Sequence, residues 1–398
     1  MRITIVGGGF AGVKTALELA KDSSFEILLI TNKSDFQYYP SLYSTATGKS
    51  HLESWVPLGE IFANHDNVKV VIDTIIGVDT ENKSLVGLSE NRYDYETCII
   101  AVGMVTTYFG IPGLDQYSYG IKSVEEIRRL KERLYKDLGE NKQLDKNYVV
   151  VGGGPTGVEL AGALGTYIKK LSKYYGIKRP RVNIRLIEAA PRILPRSHEN
   201  SSKKAAKRLE KLGVKVQVGQ AVQKETAEAI IVAGRPIASH TVIWTSGVMN
   251  NPLFSANPSV FELTANGRVK VDEYMSVSKN IYVLGDNAAT PFSGLAQTAL
   301  HDAKFVASNL KRKKAGQPLK KYQPVQPASS IPIGNNWAIF EWKKLRLYGF
   351  LASMIRRCAD FVGYSDILPI GQAIRPWHAS TIYEKDYFAP EPYKKAKR

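Results

Sequence analysis

The chain has 398 residues, 44% of them hydrophobic, with 54 Lys and Arg against 37 Asp and Glu, a formal net charge of +17. That length supports two or three domains with full cores, and the charge points to an anionic partner, either nucleic acid or an anionic membrane face. Two widely separated cysteines, Cys98 and Cys358, speak against a zinc site and a local redox dithiol, and no apolar run is long enough to predict a transmembrane helix.

In chain order, RITIVGGG predicts a strand and a turn. FAGVKTALELAKD predicts a helix, with Val13, Ala16, Leu17 and Ala20 at helical spacing, and EILLITN predicts a second strand. This is a βαβ unit with a right-handed crossover. The opening residues run straight into it, so no signal peptide is expected. Short strands follow in NVKVVIDTIIGVD and KSLVGL, then ETCIIAVG, whose apolar run makes Cys98 a buried structural thiol. SVEEIRRLKERLYKDLGENKQLDK reads as a helix with an exposed charged face, followed by a solvated loop. The first pattern then returns as YVVVGGG, PTGVELAGALGTYIKKL and VNIRLIEA, roughly 145 residues after the first copy. KVQVGQAV, AIIVAG, TVIWTSG and IYVLGDNAA are strand-like, and GLAQTALHDAKFVASNLKRKK is helical. The Pro-rich link QPLKKYQPVQPASSIP separates these from a distinct C-terminal segment.

Both glycine turns follow a β-rich run and open a helix. They read Gly7-x-Gly9-x-x-Gly12 and Gly152-x-Gly154-x-x-Gly157. In each, the first glycine permits the tight turn, the second lets backbone approach a pyrophosphate, and the third lets helix and strand pack closely. The helix N-terminus adds free N–H groups and partial positive charge. A lone turn of this kind is weak evidence, but two in full βαβ context point to two dinucleotides. At the tip of the second unit's next strand, Glu188 suits a ribose 2′-OH and repels a 2′-phosphate, which favours NAD; nearby Arg192 and Arg196 keep NADP open. The corresponding position in the first unit is Asn32, which can still hydrogen-bond a ribose and is also an ordinary turn residue. Two dinucleotides in one chain imply electron transfer between a nicotinamide and a flavin, which needs no nucleophilic triad from the protein. No metal-ligand spacing is present among the six histidines.

These turns, with IYVLGDNAA, resemble the flavoprotein reductases with two dinucleotide-binding domains. Further stretches resemble the type II NADH:quinone oxidoreductases: FQYYPSLYSTATG, GGGPTGVELAGAL, LIEAAPRILP, WTSGVMNNPL and GLAQTALHDAKFVASNL. AVGMVTTYFGIPGL is similar to that group's strand crossing between domains. The resemblance covers about residues 1–375. It implies an α/β fold of two Rossmann-like domains, glutathione-reductase-like, plus a C-terminal amphipathic membrane-docking segment. The expected division is 1–115 and 265–330 for FAD, 116–264 for NAD, and 331–398 for membrane docking or dimerisation.

The resemblance implies FAD on Gly7, Gly9, Phe10, Ala11 and Gly12, Asn32 and Lys33, Tyr39, Ala101 and Gly103, Gly285 and Asp286, and Ala296 and Gln297. It implies NADH on Gly152, Gly154, Pro155, Thr156, Gly157, Glu159, Glu188 and Gly247. Glu159 would lie between the nicotinamide and quinone sites and influence quinone entry or proton delivery; otherwise it is a carboxylate favoured by a helix N-terminal turn. The quinone, ubiquinone or menaquinone, would sit near Gln297 and His301. That group usually carries a second glutamine where this chain has His301, followed by Asp302. Histidine can donate to a quinone oxygen and can titrate near neutrality.

From Lys311 to the end, 17 Lys and Arg stand against 6 Asp and Glu, so the basic excess is concentrated here. Phe350, Leu351, Met354, Ile355, Cys358, Phe361 and Val362 share one helical face, and Arg356, Arg357 and Asp360 another. Such a helix either packs on the core or lies on an anionic membrane. Trp337, Trp342, Tyr348, Tyr364 and Trp377 suit an interface, and the basic residues suit anionic lipid. The expectation is a peripheral, monotopic enzyme on the cytoplasmic face of the cell membrane that transfers electrons from NADH through FAD to quinone without pumping protons. The same apolar face would serve a homodimer, and no nucleic-acid partner is expected. The rivals are a sulfide:quinone oxidoreductase, a soluble NADH oxidase, a carrier-protein reductase, and a non-enzymatic protein like apoptosis-inducing factor.

Overall fold

The computed structural model describes residues 1–178 and 180–384, so residues 385–398 of the expected C-terminal segment lie outside the described residues. One six-stranded sheet runs in the order Ser276–Ser278, Ile281–Val283, Thr97–Ile100, Arg2–Val6, Glu26–Thr31, Val68–Ile72, with strands from both the start of the chain and its later part. All its pairs are parallel except Ser276–Ser278 with Ile281–Val283. Strands buried on both faces read as continuous apolar runs, which explains RITIV and TCII. Cys98 is fully buried there, as its apolar run predicts.

The second copy forms a four-stranded parallel sheet ordered Val214–Gln217, Ile184–Ile187, Tyr148–Val151, Thr241–Trp244. Each sheet carries its glycine turn after a central strand, where the chain first adds a neighbour on one side and later returns to the other side, so that the strand order reverses. Ligands of open α/β sheets bind at that switch point. Between the sheets, Met104–Thr106 pairs antiparallel with Val248–Asn250, the crossing strand expected from AVGMVTTYFGIPGL.

The helix Val124–Tyr135 starts with a capping box: Ser123 accepts from the Glu126 N–H and the Glu126 carboxylate accepts from the Ser123 N–H. Such a cap contributes about 1 kcal/mol. Its charged face is exposed, but the solvated loop expected after it is not there at first. Lys136–Glu140 continues as a widened helical turn, with Asp137, Leu138 and Gly139 buried. The second-unit helix Pro155–Tyr174 has 20 residues, which accounts for much of the long interval from Gly157 to Glu188.

The C-terminal segment begins with an antiparallel three-stranded sheet, Ser329–Pro332, Ala338–Trp342 and Leu345–Gly349, followed by helices Phe350–Ser365 and Ile370–Ala379. The first helix turns Arg356 and Asp360 inward, whereas Arg357, expected on the same face, is exposed over the Trp377 ring. Arg356 and Asp360 pair beneath the helix, while Phe350, Leu351, Met354, Cys358 and Val362 are exposed. Ile355 and Phe361 are half-buried, the latter against Trp377. Among the described residues, no helix is long and apolar enough to cross a membrane.

Candidate active site

At the first turn, a Cβ on Gly7 would collide with the backbone of Ala101, and one on Gly12 with the carbonyl of Gly7. Those two glycines are required by the chain's own packing. Gly9 has nothing within 4 Å of where a Cβ would stand, and neither has Gly103. Gly9 therefore leaves room for something other than protein.

Asp286 follows the Ile281–Val283 strand, and several contacts fix this turn. The Gly285 N–H donates to Asp302 Oδ2 at 3.0 Å, and Arg268 Nε donates to the Asp286 carbonyl at 3.0 Å. Asn287 exchanges two 2.8 Å hydrogen bonds with the backbone of Gly103 and donates to Asn250 Oδ1 at 2.7 Å. Burial raises the Asp286 carboxyl, while Arg268 and Lys122 oppose the shift. Lys122 is held low by burial, partly offset by Glu126 and Asp286. Asn32, Lys33 and Tyr39 lie at the exposed rim of this region, and Phe10, Ala11 and Ala101 lie beneath it in the core.

The second turn repeats the logic. Gly152 and Gly157 are hemmed in by Ser246, Thr245 and backbone, whereas Gly154 faces open space. Pro155 and Thr156 are exposed at the helix N-terminus. Glu188 accepts from the Gly153 N–H at 2.6 Å through Oε2 and from the Ala190 N–H at 2.7 Å through Oε1. Its carboxylate is thus fixed beside the turn, with lone pairs left for a diol. Arg192 donates to the carbonyls of Leu194 and Pro195, so its guanidinium is engaged in its own loop. Gly247 adopts φ +89°, a conformation that favours glycine, and an added Cβ would meet Phe109.

Glu159 is buried in the helix that follows this turn, beyond its first turn. Its Oε1 lies 3.4 Å from Arg356 Nη1. The same guanidinium donates from Nε to both oxygens of Asp360, from Nη1 to the Ser330 carbonyl, and from Nη2 to the Pro40 carbonyl. Arg356 thereby joins the second domain's helix, the C-terminal sheet, and the Tyr39–Ser41 turn. Burial, as the largest cause, pushes the Glu159 carboxyl up to about 8, with Arg356 opposing and Asp360 adding.

Gln297 and His301 share the helix Ala296–Lys314 but are engaged with the Pro-rich link. Gln297 donates to the Ala328 carbonyl at 2.9 Å and accepts from the Ala328 N–H at 3.2 Å. His301 Nε2 meets the Gln323 carbonyl at 2.8 Å, so that nitrogen carries the proton. Asp302, fully buried, also accepts from Tyr322 Oη at 2.6 Å and so ties the link to the Gly285 turn.

Sequence reading did not single out Arg356 and Asp360 as site residues, nor Asp302, Asn287 and Lys122. Their signals were present but slight: an Arg–Asp pair four residues apart, an asparagine directly after Gly-Asp, and an aspartate in an otherwise apolar helix face. Among the described residues, no group of His, Cys, Asp and Glu could hold a metal ion.

Residues 1–303 match the pyridine nucleotide-disulphide oxidoreductase family. The chain is 30% identical to the type II NADH:quinone oxidoreductase Ndh of Mycobacterium tuberculosis, over 89% of this chain and 82% of that protein. It is 28% identical to a type II NADH:quinone oxidoreductase of Staphylococcus epidermidis, over 84% of this chain and 88% of that one. Among solved structures it is similar to NDH2 from Plasmodium falciparum in complex with NADH, with TM-score 0.81 and 19% identity over 98% of this chain and 99% of that one. It is also similar to the sulfide:quinone oxidoreductase of Aquifex aeolicus, with TM-score 0.77 and 18% identity over 90% and 89% of the two chains.

Proposed function

The chain belongs to the pyridine nucleotide-disulphide oxidoreductases and, among them, to the type II NADH:quinone oxidoreductases, and from that premise we propose how its own residues divide the work. It is an FAD-dependent enzyme that transfers electrons from NADH to a quinone. FAD, when bound, supplies the chemistry of accepting a hydride from NADH and returning two electrons to the quinone.

The observation that carries the residue assignment is the pair of glycine turns in which only the middle glycine faces open space. Gly7, Gly9 and Gly12 hold the flavin pyrophosphate against the Phe10–Ala20 helix N-terminus. Asp286, positioned by Asp302 and Arg268, accepts from the ribityl hydroxyls. Asn32, Lys33, Tyr39, Ala101, Gly103, Ala296 and Gln297 complete that site. Gly152, Gly154 and Gly157, with Pro155 and Thr156, hold the NADH pyrophosphate; Glu188 takes the ribose, and Gly247 sets the turn of the loop at the nicotinamide end. With Glu188 fixed and Arg192 engaged elsewhere, the site favours NADH over NADPH. Glu159 is the buried acid that carries a proton for the quinone. Gln297 and His301 shape the quinone end by anchoring the link over it.

We place the enzyme on an anionic bilayer at the cytoplasmic face, where NADH is available. The outward apolar face of Phe350–Ser365, the exposed Ile370 and Ile374, and the tip Trp342–Leu345 with its two lysines support this placement. A homodimer through the same face is the competing use. Thiol chemistry, as in a sulfide:quinone oxidoreductase, finds no support: Cys98 is buried in a strand, its thiol pushed far up by burial, and Cys358 is on the outer face.

The test is an anaerobic visible spectrum of the purified protein, with NADH added and then a short-chain quinone. The expected result is a flavin band that bleaches with NADH and returns with quinone. Bleaching without return would refute the quinone step, and absence of flavin after reconstitution would refute the reading of the first turn.

A further inference from the structure

One buried and one partly buried carboxylate compete for one cation where the C-terminal segment meets the Pro155–Tyr174 helix. Arg356 gives Asp360 a two-oxygen contact, Nε to Oδ2 at 2.9 Å and to Oδ1 at 3.0 Å, whereas Glu159 receives one contact at 3.4 Å. The side chains of Arg356 and Glu159 are 12% and 11% exposed, and that of Asp360 27%. Two carboxylates and one guanidinium sum to one negative charge, which is unfavourable where water is scarce. One bound proton makes the trio neutral. The more buried and less well-paired carboxylate, Glu159, is the one that takes it.

We propose that Asp360 is a positioning residue for quinone reduction. It holds Arg356 back on its own helix, prevents the arginine from neutralising Glu159, and so makes Glu159 the carboxyl that carries and releases a proton. The inference rests on the reading of Glu159 as the proton-bearing group. The balance is simple. NADH brings two electrons and one proton as hydride, and a quinone becoming a quinol takes two electrons and two protons. The second proton leaves the Glu159 carboxyl for a quinone oxygen, and one proton taken up from solution restores the carboxyl, so that each turnover consumes one proton.

The surrounding groups leave this assignment intact. Tyr38 donates its hydroxyl to Asp360 at 3.1 Å and stacks on Tyr364 at 4.2 Å. Burial raises the ionisation of Tyr38, Tyr43 and Tyr364, so all three stay neutral. Glu53, fully enclosed against Thr45, is pushed up to about 8 by burial, and the Glu159→Gln variant below separates its titration from that of Glu159. Asp360 raises Glu53 as well and Lys49 opposes it; Lys131, whose own ionisation is lowered to about 8 by burial, also faces Glu53. Asp366 is paired with Lys14 and Lys304.

The experiment follows flavin reoxidation by a short-chain quinone against pH in the holoenzyme, with NADH bleaching measured separately. In the parent enzyme, reoxidation falls as pH rises through about 8, where Glu159 loses its proton. Glu159→Gln is expected to lose this limb. Asp360→Asn releases Arg356 to Glu159, and the limb moves to lower pH by about one unit or more, at least a tenfold change in the acid constant. Asp360→Glu restores it. Bleaching by NADH stays at the parent rate in Asp360→Asn, which a merely structural defect would not allow. Arg356→Gln moves the limb the opposite way and carries the test if Asp360→Asn is isolated without flavin. A limb unmoved in both variants, or bleaching slowed as much as reoxidation in Asp360→Asn, overturns the proposal while leaving Glu159 in its role. A limb that persists in Glu159→Gln overturns the reading of Glu159 itself, and the role of Asp360 with it.

Discussion

Leu351 and Val362 stand on the outward face of the Phe350–Ser365 helix, 64% and 60% exposed. If that face enters a bilayer, the double variant Leu351→Ser/Val362→Ser weakens membrane binding without weakening the fold. Complete burial of such a side chain contributes about 1.5–3 kcal/mol. The exposed fractions leave about 1–2 kcal/mol for each to gain on docking. Together they give about 2–4 kcal/mol, which is about 30- to 700-fold in partition at 1.4 kcal/mol per tenfold. Surface substitutions of this kind change folding stability by about 0.5 kcal/mol or less. The assay is sedimentation with vesicles containing anionic lipid, beside a thermal melt and turnover with a water-soluble quinone. The expected outcome is lost sedimentation, an unchanged melt, unchanged turnover with the soluble quinone, and reduced turnover with a long-chain quinone in vesicles. Undiminished vesicle binding would refute the reasoning. A change of oligomeric state in detergent-free solution, with vesicle binding intact, would assign the face to a second copy instead.

Other consequences can be checked separately. Lys343→Ala/Lys344→Ala at the exposed hairpin tip should remove about 1 kcal/mol of anionic-vesicle binding per lysine, with the difference vanishing in high salt. Gly157→Ala places a Cβ on the Gly152 carbonyl and 2.7 Å from Thr245 Oγ1, so it should weaken NADH bleaching by at least tenfold while flavin stays bound. Gly12→Ala makes the equivalent clash at the first turn and should instead yield protein depleted of flavin, seen in the visible spectrum. Burial holds the Asp302 carboxyl up at about 6, so the folded state keeps a proton that the unfolded chain releases from about pH 4 upward. Stability therefore falls as pH rises through that window, and Asp302→Asn should flatten the fall by about 2–3 kcal/mol in melts at the two ends.

Much of the fold was legible because its signals are local and repeated. A β-rich run, a glycine turn and an apolar helical stripe together leave few arrangements open, and having them twice identified two sheets before any contact was known. The glycines also divide their labour as their spacing implies: in each turn the outer two are closed in by protein and the middle one is open. The place of Glu188 was legible for the same reason: it follows the strand beside the turn and accepts from the Gly153 N–H. What escaped the sequence depends on pairings across the chain. Asp302 matters because the Gly285 N–H, 17 residues earlier, points at it. Arg356 matters because Pro40, Glu159, Ser330 and Asp360 converge on it from four parts of the chain.

The C-terminal helix shows the limit most clearly. Its period announces two faces but not which one is inward, and the ordinary rule would bury Phe350, Leu351 and Val362. The opposite orientation is stable because the polar face brings its own counter-charge. Arg356 and Asp360, four residues apart, neutralise one another, and the remaining guanidinium N–H groups find carbonyls and Glu159. A buried charge so satisfied costs far less than a bare one. The apolar face is then left to the outside as a consequence. One arginine thus links the two halves of the proposed activity: it sets the charge around the acid that serves the quinone, and it holds outward the face that would meet the membrane in which a quinone dissolves.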